Sequence, residues 1–515
     1  MKKILVILAA GIFLAMAATS AYALHSHVGS TGLLYYVKEK AFPGYVAFKF
    51  THGPNKTGAP VSTYVINLEG QVVTEWHDFQ VARFLDNGNI FGFNTSEQTT
   101  GHRGEYLQEI DWDGNEVWKW KIPKERSDID QMHHQFRAWI FNKKLNAYTH
   151  MTIIMKKLTL EEGLAGGADP SKMRSDARPD GIIEVDMDGN IIWEWWSWDH
   201  VVQDIEPTKA NYVGKGKTIA DHPGKLDVNW GRGMRGDFVH FNSVDYNETL
   251  GQVVVNNSVG SEFWIIDHQG TFIPGDYEAS KARAASDVGD FVYRWGNPSL
   301  YGAGKGPSFE YGISSNGDQQ CFFSHGIHWI PEGLPGAGNF LYFDNGQRRQ
   351  GSTYSRILEI NPYDGPMENG VYVPLMEAGF DSRHISNQIV WSYQSKHYSA
   401  FYSHQGSCAQ RLPNGNTFVT TGRGQMFQVT PEGELVWEYV VPADDKGNVT
   451  DVLIDNQGLN PSFANMYGAD HPVLVGKDLT PKDTIAELAA QGKIIQPKFA
   501  GKGAKGSKGK KGSKK

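Results

Sequence analysis

Six histidines stand at matching places in this 515-residue chain. Histidine is the side chain whose ordinary pKa suits both proton transfer and nucleophilic attack near neutral pH. They are His133 and His134 in QMHHQFRAW, His240 in FVHFNSVDYN, His325 and His328 in FFSHGIHWIP, and His404 in FYSHQGSC. Beyond the fifth comes NFLYFDNGQRRQGSTYSRILEI, where Asp344-Asn345-Gly346 reads as a tight turn presenting Arg348 and Arg349. A guanidinium near several imidazoles is a receptacle for an oxyanion, because its fork matches two oxygens at once. Other chemistries lack their residues. Asp245 and Asp344 have no evident carboxylate partner for glycoside hydrolysis, and there is no Walker loop, no Gly-x-Ser-x-Gly elbow and no Cys-x-x-Cys.

The elements that must position these side chains are clearest in the stretch Phe401 to Tyr439. Three short runs (Cys408 to Leu412, Asn416 to Thr421, Gln425 to Thr430), a turn at Pro431-Glu432-Gly433 and a fourth run through Trp437 make an antiparallel meander, with His404 just ahead of the first strand. The closing phrase, a Gly-containing polar turn and then a strand ending on an aromatic, recurs. It appears as VINLEGQVVTEW, EIDWDGNEVWKW, EVDMDGNIIWEW, IIDHQGTF with FVYRWG, ILEINPYDG with IVWSY, and QVTPEGELVWEY. Six such units predict an all-β fold, a six-bladed β-propeller over residues 45–442. The innermost strand of each blade lies nearest the axis, so the histidines at its leading end converge on one funnel.

Tyr148 to Pro179, Trp198 to Asp237, Thr271 to Gly289 and Pro298 to Gln320 read as long loop insertions on one face, where insertions on a repeat scaffold build or cover a site. Their aromatics Trp198, Trp230 and Tyr311 are candidates to sandwich a ring. Lys157 to Gly163 and Lys482 to Gly492 carry a helical pattern, Thr484 to Ala490 the clearer. Residues before Tyr45, or part of Ala443 to Leu479, are candidates to close the ring.

Residues 1–23 have the form of a secretory signal: two lysines, an apolar run and the small-residue ending Ala21-Tyr22-Ala23. They predict a periplasmic or secreted protein with no transmembrane segment after cleavage. Residues 24–44 form an N-terminal segment and 443–500 a C-terminal extension. Residues 501–515 are a Lys/Gly-rich tail that cannot bury a core. The net charge is −8 and the last fifteen residues hold seven lysines and no acid, so the rest sums to −8 − 7 = −15. An acidic body without a basic stripe excludes nucleic acid as a partner. Two cysteines, Cys321 and Cys408, are too few for a disulfide framework, and the sequence leaves their pairing open.

The segments GYVAFKF, YVINLEGQVVTEW, HFNSVDYN, SEFWIIDH, YRWGNPS, NFLYFDNGQRR, YSRILEI and QRLPNGNTFVTTGRGQMFQVTPEGELVWEY together resemble the bacterial arylsulfate sulfotransferases, from about Gly44 to Pro442. The resemblance implies an exported enzyme that moves a sulfuryl group from an aryl sulfate to a phenol, with no nucleotide sulfate donor, no cofactor and no metal. It implies that one histidine is transiently sulfated while two others and an arginine hold the sulfate oxygens. Carried onto this chain, His404 takes the nucleophile's place, His240 and His325 bind oxygens, and Arg348, with Arg349 as the alternative, supplies the guanidinium. His328 in place of His325 stays open. The chain departs from the family in having too few residues ahead of the first blade for an extra N-terminal domain, which leaves a homodimer open, and in lacking a cysteine pair near the nucleophile. Two other classes fit the same residues: a His-rich metal-dependent propeller oxidoreductase, and a non-catalytic propeller that binds an anionic ligand.

Overall fold

The computed structural model describes residues 29–51, 61–94, 106–231, 236–311, 313–362, 367–368, 371–372, 388–396, 401–443, 449–450, 452–453 and 464–494. The signal-like segment 1–23 and the lysine tail 501–515 lie outside the described residues, as does the side chain of His133. Six antiparallel sheets form a six-bladed β-propeller. In blade two the strands are Phe79–Phe84, Ile90–Asn94, Tyr106–Ile110 and Glu116–Trp120, from the axis outward. Blade three is Ile129–Asn142, Ala147–Lys156, Asp180–Asp186 and Ile191–Trp196, and blade four is Phe241–Asn247, Gln252–Asn257, Glu262–Asp267 and Phe291–Trp295. Blade five is His325–Trp329, Phe340–Asp344, Arg356–Ile360 and Ile389–Tyr393. Blade six is Cys408–Arg411, Thr417–Thr420, Gln425–Val429 and Leu435–Val440.

Both segments that were candidates to close the ring take part. Ala464–Tyr467 pairs with Tyr45–Thr51 and becomes the innermost strand of blade one, which continues outward through Val61–Asn67 and Val72–His77. Gly32–Tyr36 adds a fifth, outermost strand to blade six. The ring therefore extends past the expected limits of 45 and 442 on both sides, with Gly32–Tyr36 and Ala464–Tyr467 held in neighbouring blades.

The repeated tryptophan explains how blades attach to one another. Each closing ring is a buried or half-buried plate whose indole N–H must find an acceptor. Trp76 donates to the Trp112 carbonyl (3.0 Å), Trp120 to Gly189 (3.0 Å), Trp195 to Gly289 (2.8 Å), Trp391 to Pro431 (2.7 Å) and Trp437 to Leu68 (2.8 Å). Every one of those acceptors lies in the connection between third and fourth strands of the next blade, so each Trp latches its sheet to its neighbour. The polar turns that accept are themselves closed locally. Asp186 takes the Asn190 N–H at 2.8 Å while Gly189 adopts φ +89°, a conformation that favours glycine. The apolar cores sit between blades, and Leu412, Phe418 and Trp437 of blade six pack with Val46, Phe48 and Ile66 of blade one, closing the circle.

Strand direction fixes which end carries the site. The innermost strand of each blade starts at one end of the ring, and the connections from second to third strand and from one blade to the next lie at that same end. Three insertions, 157–179, 198–237 and 298–320, are connections of those two kinds. The fourth, 271–289, joins third and fourth strands, and its helix Tyr277–Ala284 packs along the outer strand Ile191–Trp196 of blade three. The expected helix at 157–163 forms at Leu160–Ala165, started by a reciprocal Thr159–Glu162 cap, and Ile485–Ala490 is capped in the same way by Thr484 and Glu487. Cys321 and Cys408 are both free thiols. Among the described residues no helix is long and apolar enough to cross a membrane.

Candidate active site

His240, His325 and His404 all lie at the starts of innermost strands in consecutive blades, at one end of the ring. His325 opens its strand and is 3% exposed. Its Nδ1 lies 2.7 Å from Oδ1 of Asn345, and the Gly406 N–H reaches its Nε2 at 3.2 Å. The Asn345 amide nitrogen donates to the carbonyls of Ser403 (2.7 Å) and Gly406 (3.0 Å), so the amide oxygen must face the ring. An amide oxygen only accepts. His325 therefore carries its proton on Nδ1 and keeps the lone pair on Nε2.

His404 is held the other way. Its Nδ1 is 2.7 Å from Nη2 of Arg423, a guanidinium 2% exposed in the turn between second and third strands of blade six. A guanidinium only donates, so the ring's proton sits on Nε2. Burial first, and then the charge of Arg423, push the His404 pKa down to about 4. Hydrogen bonds stitch three connections of blades five and six into one floor. Gln347 donates to the His404 carbonyl (3.2 Å), Ser403 N–H to Ser355 Oγ (2.9 Å), and Gly422 N–H to Ser407 Oγ (2.9 Å).

His240 precedes its strand with φ +52°, and its Nδ1 is hydrogen-bonded to Asp237. The ring stands edge-on to His134, centroids 4.5 Å apart. Burial works against its protonated form, yet the hydrogen bond and charge of Asp237, with the charge of Asp180, outweigh it and raise its pKa. Asp180 is fully buried and accepts the Phe241 N–H at 3.2 Å. Burial, reinforced by Asp237, holds its carboxyl well above the usual range. A ring backed by a carboxylate at Nδ1 and biased toward the imidazolium is a proton donor at Nε2.

The two arginines of the blade-five turn separate. Arg349 is bound to Asp344 (2.5 Å) and lies between the rings of Phe322 and Tyr354, at 4.5 and 4.4 Å. Arg356 shares the same carboxylate at 2.8 Å. Arg348, with φ +69°, is exposed on the turn that carries Asn345. His328 sits deeper, its Nδ1 2.9 Å from the Gly326 carbonyl, near the Arg137–Asp245 pair (2.8 Å). Burial lowers its pKa, with Arg83 and Arg137 adding to the effect against Asp245. Of the candidate ring-sandwiching aromatics, Trp198 and Trp230 pack in loop cores while Tyr311 is wholly exposed. Among the described residues no group of three or more His, Cys, Asp or Glu side chains converges as a metal would require.

Asn345, Arg423, Asp237 and Asp180 escaped the sequence reading. Arg423 offered a signal, since Thr421-Gly422-Arg423-Gly424 occupies the same turn in blade six that Asn345 to Arg349 occupies in blade five. Asp237, three residues before His240, offered a weaker one.

A family model described as Arylsulfotransferase (ASST) matches residues 138–463, more than half of the chain. No curated protein matches it. Among solved structures, the Cps50 (Swd1) β-propeller domain of Myceliophteria thermophila is 9% identical, with 80% of this chain and 87% of that one covered, at a TM-score of 0.34. A quinohemoprotein alcohol dehydrogenase from Pseudomonas putida is 10% identical over 77% of this chain and 68% of its own, TM-score 0.32. Apo AztD from Citrobacter koseri is 8% identical over 83% and 99%, TM-score 0.33.

Proposed function

This chain belongs to the arylsulfotransferase family, and we propose that it moves a sulfuryl group from an aryl sulfate to a phenol through a sulfohistidine, without a nucleotide sulfate donor. The observation that carries the reading is the set of imidazoles and guanidinium groups at one end of the axis, each ring held by its own partner in a defined protonation state. The transferring group spreads negative charge over its oxygens and the departing aryloxide accumulates more. Fixed donors at those positions therefore stabilise the transition state more than the substrate.

A histidine nitrogen attacks sulfur, the bond from sulfur to the aryl oxygen breaks, and the aryloxide leaves with a proton. His240, biased toward its charged form by Asp237, supports the role of proton donor. The acceptor phenol then returns its proton to His240 as its oxygen attacks sulfur and the nitrogen–sulfur bond breaks, which gives ping-pong kinetics. His404 is the attacking residue expected from the register of the repeats. One observation favours His325 instead: its lone pair is on Nε2, whereas Nε2 of His404 carries a proton and suits donation to a sulfate oxygen. The Gly406 N–H over the His325 lone pair would have to yield to the incoming sulfur. Arg348, exposed beside Asn345, supplies charge at the mouth. The signal-like residues 1–23 support export to the periplasm or the medium.

The test is incubation with p-nitrophenyl sulfate, first without and then with phenol. Labelled sulfate retained on one histidine peptide before phenol is added, and sustained nitrophenol release only afterwards, is the expected result. Equal release with and without acceptor would make the protein a hydrolase, and no release at all would leave only a binding funnel.

A further inference from the structure

The insertion between blades four and five contains a small hairpin that belongs to no blade. Ser308–Glu310 pairs with Ile313–Ser315, Ser308 opposite Ser315 and Glu310 opposite Ile313. It carries Phe309 at 68% exposure, Tyr311 at 100% and Ile313 at 71%. Among the described residues, none of the three joins an apolar cluster. An isolated two-stranded hairpin is marginal in water, and three large apolar side chains on one give up the burial that would stabilise it. Such an element needs a role that its own packing does not provide.

Its location supplies one. The insertion leaves from the end of the blade-four outer strand and returns to the start of the blade-five inner strand, so it springs from the histidine end of the ring. The hairpin ends ten residues before His325. Its base is pinned to the site: Gln350 N–H donates to Asn316 Oδ1 at 2.8 Å, two residues beyond Arg348 on the turn that bears Asn345. On the other side Lys305 N–H donates to Asp318 Oδ2 at 2.7 Å. Three residues per strand at roughly 3.3 Å each let the tip stand about 10 Å from that base.

We infer that the hairpin is the aryl-recognition element of the site, with Phe309, Tyr311 and Ile313 packing against the ring of a bound phenol or aryl sulfate while the sulfuryl group lies among the histidines. This rests on the transferase reading and names the part of the chain that selects the aromatic portion of the substrate. Division of labour follows from chemistry. His325, His240 and His404 are partnered by an amide, a carboxylate and a guanidinium, whereas an aryl ring gains most where it covers hydrocarbon. An exposed apolar hairpin whose base is tied to the turn of the exposed Arg348 matches a ligand with a flat ring at one end and an anion at the other.

The experiment uses the full-length protein with Phe309→Ser, Tyr311→Ser and Ile313→Ser combined. All three are exposed, so folding is unaffected, which an unchanged melting temperature confirms. Two acceptors are compared, phenol and the larger 2-naphthol, with p-nitrophenyl sulfate as donor. The expected result is a KM for 2-naphthol raised about tenfold, the effect of losing a ring's apolar cover, a smaller rise for phenol, and an unchanged rate of histidine sulfation at saturating donor. An unchanged 2-naphthol KM in the triple variant overturns the inference while leaving the transferase reading intact. A variant that also shifts a wild-type dimer to monomer in sedimentation, with both KM values unchanged, gives the tip to a second copy of the chain and overturns it too. Absence of transfer by the wild-type protein removes the transferase reading itself.

Discussion

Blades five and six present a histidine at equivalent places, and the fold treats the same ring atom in opposite ways. In blade five, Nδ1 of His325 faces an acceptor, the amide oxygen of Asn345; in blade six, Nδ1 of His404 faces a donor, the guanidinium of Arg423. Both partners come from the connection between second and third strands of the respective blade. That turn in blade five also contains an arginine buried in the fold, but Asp344 lies within reach of Arg349 and takes it at 2.5 Å. Arg423 makes a 2.7 Å contact to the histidine. The difference teaches that a repeat can supply identical positions and still assign them distinct chemistry, since an acceptor or a donor offered by the same turn decides which ring nitrogen carries the proton.

The strongest way to break this comparison is to delete each ring. If a lone pair on Nε2 makes the nucleophile, His325→Ala loses at least about 10³ in kcat and forms no sulfohistidine, while His404→Ala, deprived of one oxyanion donor, loses about 10² and still labels. Single-turnover sulfation followed by peptide mapping reads both; the reverse order returns the attacking role to His404. A second effect concerns stability. Asp344→Asn leaves the Arg349 and Arg356 guanidinium groups short of their shared, fully buried counter-charge, and unfolding in urea should show a loss of about 3 kcal/mol. A midpoint unmoved by that change would mean that the blade-five turn does not depend on its ion pairs.

The architecture was legible because it is written in short-range grammar. The turn glycines, the alternating strands and the closing Trp recur six times, and the indole latch that five of those rings make to the next blade gives that Trp its physical reason. The histidines were legible for a related reason, as His240, His325 and His404 each fall at or just ahead of the start of an innermost strand. What the sequence could not carry was polarity. Whether Nδ1 of a ring meets an oxygen or a guanidinium depends on Asn345 and Arg423, twenty and nineteen residues away across a hairpin, and nothing local separates Arg349, sandwiched between Phe322 and Tyr354, from exposed Arg348. Closure of the ring was open for a similar reason. The strand Ala464–Tyr467 lacks a repeat of its own around it, and only pairing with Tyr45–Thr51 shows where it belongs.

Arg423→Gln sharpens the comparison through pH. It keeps a donor at His404 Nδ1 and removes the charge, so the ring's pKa, now about 4, rises part of the way toward the ordinary 6.5, with burial still holding it down. Protonation puts a hydrogen where the donor must sit, so the acid limb of kcat moves to higher pH in the variant. The linkage has the same sign. An unfolded chain takes up this proton from about pH 6.5 downward and the folded one only near 4, so the ring lowers stability as pH falls through that window. Removing Arg423 narrows the window, and the variant should lose less stability than the parent between pH 6 and about 4.5. An acid limb that stays in place would show that Arg423 does not govern the ring.

The smallest effect is expected at Arg348. It shares the blade-five turn with Arg349 but lies in solvent, where screening weakens any charge. Arg348→Gln should raise the KM for p-nitrophenyl sulfate by a few-fold at low ionic strength, leave kcat and the melting temperature unchanged, and become indistinguishable from the parent near 0.5 M salt, where the Debye length is roughly half its value at 0.1 M. Arg349→Gln should do the opposite, lowering the melting temperature because Asp344 loses one of its two cations and the flanking rings lose theirs, with little salt dependence. Equal behaviour of the two variants would erase the distinction between a guanidinium locked into the turn and one that meets the substrate.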